Sequence, residues 1–149
     1  MQITIKVKRT HNKAAEQALW QGIDRGMDDL VDFILEKSQE FVPVNEGALK
    51  KSAKIDRQYL KKRLYYDALY AVFVEFGTRP HHLPVKAINE DLTRWCRLVL
   101  NLSEKEANAD AWAIAKKIAQ YGTEAQPYLR PAVDEAKKKA EGIFRNAMR

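Results

Sequence analysis

The chain has 149 residues, 46% hydrophobic and 31% charged, with a formal net charge of +6. This length suits a single domain, 1–149, and the composition excludes a disordered or fibrous chain. One cysteine, Cys96, excludes an internal disulfide and favours a reducing cytoplasm, and the opening MQITIKVKRTH alternates apolar and cationic residues where a secretory leader would run apolar.

Residues 2–8, QITIKVK, place Ile3, Ile5 and Val7 on one face and Thr4, Lys6 and Lys8 on the other, which predicts a half-buried strand. From Lys13 to about Phe41 the period changes. Trp20, Ile23, Met27, Leu30, Ile34 and Phe41 mark one face of a long helix, and Asp24, Asp28, Asp32 and Glu36 form an opposite acidic stripe. Gly22 and Gly26 weaken this helix but permit close packing. The helix is expected to end before Val42-Pro43. A loop with Asn45 and Gly47 follows. Residues 52–66 then read as two strands folding back near Arg57-Gln58, with Leu60, Leu64 and Tyr66 on one face.

The run DALYAVFVEF, residues 67–76, fits a short helix capped by Asp67 and stopped by Gly77, and as a short apolar run it also fits a buried strand. Ile88, Leu92, Trp95 and Val99 predict a helix over about Val85–Leu100. Ser103 and Glu106 form a capping box, with Leu102 and Ala107 as its hydrophobic staple, opening a helix that stops at Gly122. A last helix is expected from about Pro131, with Asp134 and Glu135 in its first turn and Val133, Ala136, Ala140, Ile143 and Ala147 inward. Trp20, Trp95 and Trp112 are expected in the core, the alternative being that one of them lines an interface. The grouping predicts an α+β fold: a small antiparallel sheet, made of the N-terminal strand and the pair near 52–66, packed against the long first helix and several C-terminal helices.

Charge is unevenly spread. Residues 13–41 carry three basic and seven acidic side chains, while residues 43–66 carry seven basic and two acidic. Lys50, Lys51, Lys61, Lys62 and Arg63 are therefore candidate contacts to a DNA backbone, without sequence preference. The competing explanation is a solvated strand face, or a match to the acidic helix before it.

No catalytic constellation emerges. His81-His82 and His11 lack a metal-ligand pattern, and no nucleophile elbow, Walker loop or dinucleotide fingerprint occurs. Neither enzyme activity, a cofactor, a small-molecule substrate nor a membrane partner is expected.

Three segments stand apart: VPVNEGALKKSAK, YAVFVEFGTRPHH and GTEAQPYLRPAVDEA. In this order and spacing they resemble the tail-completion, or head–tail joining, proteins of long-tailed bacteriophages. The similarity spans about residues 13–145. It rests on Pro43, Gly47, Leu49 and Ser52, then Tyr70, Ala71, Glu75, Phe76, Gly77 and Thr78, then Pro127 to Ala132. The resemblance implies a non-catalytic assembly protein at the head-proximal end of a tail, made in the host cytoplasm and kept in the virion. It also implies a homo-oligomeric ring contacting other neck and tail proteins. Gly47, Leu49, Glu75, Phe76, Gly77, Thr78, Pro127, Tyr128, Leu129 and Arg130 are the candidate interface residues.

The two Gly-Thr corners raise one further expectation. Glu75 lies in an apolar run where an unpaired carboxylate is costly, and Arg130 sits between Leu129 and Pro131. A mutual, partly buried ion pair would clamp the corners together. The alternative leaves Glu75 in water and Arg130 capping a helix end.

Overall fold

A computed structural model describes residues 12–43 and 47–149, so the predicted strand at 2–8 and His11 lie outside the described residues. The fold is α+β. Helix α1, Lys13–Phe41, begins at Asn12, whose side chain accepts the Ala15 N–H, and stops at Val42 before Pro43. A single turn, α2 (Ala48–Lys51), leads into the hairpin β1 (Ala53–Gln58) and β2 (Lys61–Tyr66), and α3 (Ala71–Phe76) follows. One helical stretch then comprises α4 (Val85–Ala87), a π-helical turn (Ile88–Leu92) and α5 (Thr93–Leu100). Helices α6 (Glu104–Tyr121) and α7 (Leu129–Ala147) complete the chain.

Helix α1 is covered on two sides. On one, α7 packs against it, and the close approach is made at glycines: a Cβ at Gly22 would lie 3.1 Å from Met148 Cγ, and one at Gly26 would overlap the Phe144 ring. Arg25 donates to the Ala147 carbonyl through Nε and through a terminal nitrogen at 2.9 Å, placing a cation at the negative end of α7. On the other side lies the hairpin, whose register pairs Arg57 with Lys62 and Ile55 with Leu64.

The acidic stripe is what the hairpin docks on. Lys62 Nζ lies 3.0 Å from Asp24 and 3.1 Å from Asp28, while Arg57 reaches Asp28 at 2.7 Å and Asp32 at 2.5 Å. The Leu60 N–H donates to Asp24 at 2.6 Å. Burial disfavours the Lys62 ammonium, yet its two aspartates outweigh this and raise its pKa. Lys62→Met should therefore lower the unfolding midpoint clearly more than Lys61→Met, because it removes the cation shared by two carboxylates and leaves Asp24 with the Leu60 N–H and Asp28 with Arg57. Equal midpoints in thermal unfolding would contradict that role.

Several local expectations are corrected. The hairpin turns at Tyr59-Leu60, with Leu60 at φ 55°, two residues beyond Arg57-Gln58. Asp67 does not cap α3; it pairs with Lys54. Because α7 starts at Leu129, Asp134 and Glu135 fall in its second turn. Trp20 and Trp112 stay 43% and 46% exposed, and Val99 is also exposed, whereas Trp95 packs beside Ile88, Cys96, Ala107 and Ala111. Leu102 and Ala107 join that same cluster, and both the N–H and the hydroxyl of Ser103 donate to Glu106.

Candidate functional site: the junction of the two corners

The second cluster of buried residues collects parts of all three sequence segments. Leu49 from the first, Ala71 from the second and Tyr128 from the third meet Val42, with Tyr66, Val74 and Leu129 packed around them. Tyr128 stacks edge-to-face on Tyr66 at 4.8 Å, and Ser38 Oγ lies 2.7 Å from the Tyr66 hydroxyl. The base of the hairpin, the end of α1 and the start of α7 are thus tied at one point.

The Gly-Thr corners pair with each other. The Thr78 N–H donates to the Thr123 carbonyl at 3.0 Å, the Thr123 N–H donates back at 3.3 Å, and the two hydroxyls lie 3.0 Å apart. Gly77 and Gly122 have φ of 71° and 76° with extended ψ, a region open essentially to glycine. A Cβ at Gly77 would lie 2.5 Å from the Thr123 carbonyl oxygen, and one at Gly122 would collide with that of Thr78. Each glycine makes room for the other corner. Gln126 N–H donating to the Val74 carbonyl at 2.8 Å extends the contact.

Glu75 closes the junction. Its side chain is only 6% exposed. One carboxylate oxygen accepts the N–H groups of Tyr128 (2.8 Å) and Leu129 (2.9 Å); the other accepts the Arg130 N–H (3.0 Å) and Nε (3.1 Å). The carboxylate therefore caps the N-terminus of α7 from a distant part of the chain, meeting donors that a helix start leaves without partners. Burial pushes its pKa up, but the three N–H groups and the guanidinium outweigh burial and hold it below the ordinary value. The expected pair with Arg130 forms, though unequally: Arg130 remains 57% exposed and lies 4.9 Å over the Phe76 ring.

A lowered folded pKa gives stability that is present above the unfolded value, near 4.5, and lost as pH falls through the folded value. The stability gap between the native chain and Glu75→Gln should therefore narrow as the solution is acidified below about pH 4.5, read from unfolding midpoints. A constant gap down to acid unfolding would contradict it.

Of the candidate interface residues, Leu49, Glu75 and Tyr128 are buried and serve the fold. Gly77, Thr78 and Leu129 are half-buried, while Phe76, Pro127 and Arg130 are exposed. Gly47, at φ 73°, has open space around it. Apolar surface surrounds the junction: Leu69, Val72, Phe73 and Phe76 are 95%, 61%, 57% and 61% exposed. Beside them runs an open groove of about 700 Å³, lined by Pro43, Tyr70, Phe73, Val74, Leu83 and Ile118, with Arg79 and His81 among its polar residues. The histidine pair is exposed, and His81 Nδ1 lies 2.9 Å from the Arg79 carbonyl. Among the described residues no group of three or more His, Cys, Asp and Glu is placed to hold a metal ion, and no helix is long and apolar enough to cross a membrane.

Of the candidate DNA contacts, Lys62 is turned onto α1 and withdrawn from solvent, whereas Lys50, Lys51, Lys61 and Arg63 are exposed. The expected match of the basic segment to the acidic helix is found for Arg57 and Lys62, which dock on Asp24, Asp28 and Asp32; the Leu60 N–H on Asp24 had no signal in the sequence. Comparison with protein-family models, curated proteins and solved structures finds no match to this chain.

Proposed function

We propose that the chain is a structural virion-assembly protein of a long-tailed phage, completing the tail at its head-proximal end as a subunit of a ring. The observation that carries this reading is the convergence of the three resembling segments on one junction, where Leu49, Ala71, Glu75 and Tyr128 interlock. Segments that share one structural task are expected to occur together and in order. Supporting it is the exposed apolar surface of α3, since contiguous patches of this kind mark protein interfaces. A closed ring requires two different patches on each subunit. Two exposed apolar sets adjoin at and just before α3: Leu69, Val72 and Phe76, and the groove beside Tyr70 and Phe73. The role assigns no catalysis. It places the protein in the host cytoplasm during assembly and then in the neck of the virion, beside other neck and tail proteins.

Mass measurement in solution, together with electron microscopy of purified protein and assembled particles, tests the proposal. Rings in either setting are expected, and Val72→Asp should abolish them while leaving the unfolding midpoint nearly unchanged. A strict monomer in both settings overturns the reading.

A further inference from the structure

The hairpin divides the basic segment into two populations. Its inner face spends Arg57 and Lys62 on the aspartates of α1. Its outer face carries three cross-strand rungs, Lys54 with Tyr65, Asp56 with Arg63, and Gln58 with Lys61. Five of these six side chains are of types that can donate hydrogen bonds, and Asp56 is the one carboxylate. Lys54 is already engaged by Asp67, while Lys61 and Arg63 form no ion pair among the described residues. Lys50 and Lys51, both exposed and likewise unpaired among the described residues, stand in α2 at the base of the same hairpin.

We infer that the outer face of the β1–β2 hairpin, led by Lys61 and Arg63 and flanked by Lys50 and Lys51, binds the phosphate backbone of nucleic acid. Charge is the first reason. Lys50, Lys51, Lys61 and Arg63, which form no ion pair among the described residues, are available to neutralise phosphates, whereas Arg57 and Lys62 on the inner face are engaged by the aspartates of α1. Donor chemistry is the second. Phosphate contacts are made by Lys, Arg, Gln and Tyr side chains alike, and these make up the outer face apart from Asp56. Spacing is the third. Alternate residues of a strand repeat about every 6.8 Å, while each strand of a duplex carries a charge about every 3.4 Å along its axis, so every rung falls within reach of a phosphate. A two-stranded ribbon is also a shape that the major groove admits. The site does not depend on the assembly role, and either can fail without the other.

The test is fluorescence anisotropy of a labelled duplex of mixed sequence, titrated with the full chain from about 50 to about 200 mM salt. The native chain should bind with a steep salt dependence. Lys61→Gln with Arg63→Gln should reduce the log–log slope by about 1.8, about 0.9 for each phosphate no longer neutralised. Lys116→Gln with Lys117→Gln, which removes the same charge from exposed positions on α6, should leave the slope nearly unchanged. Unchanged unfolding midpoints are expected for both double variants, since no ion pair is broken. A single strand of the same sequence, run in parallel, tells which form of nucleic acid supplies the phosphates; the slope change with either form supports the site. No binding of either form at the lowest salt, an equal slope change in the α6 control, or binding only to anionic phospholipid vesicles overturns it.

Discussion

Glu75→Ala is expected to cost about 3–5 kcal/mol, the range for removing one partner of a buried charged pair. The loss comes mainly from the backbone. Three N–H groups at the start of α7 lose their acceptor, and each buried donor left unsatisfied costs about 1–3 kcal/mol before relaxation. Against a typical domain stability of about 5–15 kcal/mol, one substitution removes a large share. Glu75→Gln should fall between. Its amide oxygen can still accept from Tyr128 and Leu129, but its NH2 group would then face the N–H and Nε–H donors of Arg130. Arg130→Met should cost only about 0–1 kcal/mol, because an exposed guanidinium is solvated with or without its partner. This corrects the expectation of a symmetric clamp: the pair exists, but the helix terminus holds the carboxylate. Chemical denaturation of the three variants measures the ranking. A loss at Arg130 equal to that at Glu75 would return the weight to the ion pair.

Gly122→Ala should be comparably severe and should act on the other half of the junction. Its backbone conformation costs a non-glycine residue about 1–3 kcal/mol. The added methyl would also collide with the Thr78 carbonyl, which is held by the Thr123 N–H and cannot retreat without breaking that bond. Overpacking of this kind adds about 1–3 kcal/mol, for a total of about 2–6 kcal/mol. Gly142→Ala supplies the contrast. That glycine lies in the interior of α7 with nothing within 4 Å of an added Cβ, so the change should stabilise by up to about 1 kcal/mol. If both substitutions moved the unfolding midpoint in the same direction, the close approach of the corners would not be the controlling feature.

Local physics made several elements legible in the sequence. The bounds of α1 follow from a period near 3.6 ending at Val42-Pro43, and α6 follows from its Ser103–Glu106 cap and its stop at Gly122. These signals lie within a few residues of what they control. The hairpin was legible as two strands, but its turn at Tyr59-Leu60 was not, because no Asn-Gly or Asp-Gly marks it and Leu60 takes a positive φ.

The sequence also determined that Asp24, Asp28 and Asp32 share a face of α1, and that a carboxylate at position 75 must find compensation. Only the tertiary structure decided what met them. Periodicity says which residues point the same way but not whether water or another element lies there, so a stripe read as opposite the apolar face became the seat of the hairpin. Trp20 and Trp112 were misplaced in the core for the same reason. The compensation at Glu75 comes largely from main-chain N–H groups, which nearly every residue carries, so no residue type could announce Tyr128, Leu129 and Arg130 as its donors. The two Gly-Thr corners were visible as repeated punctuation, but their pairing depends on backbone brought together across 45 residues. Chain closure over such a distance is fixed by packing of the whole fold.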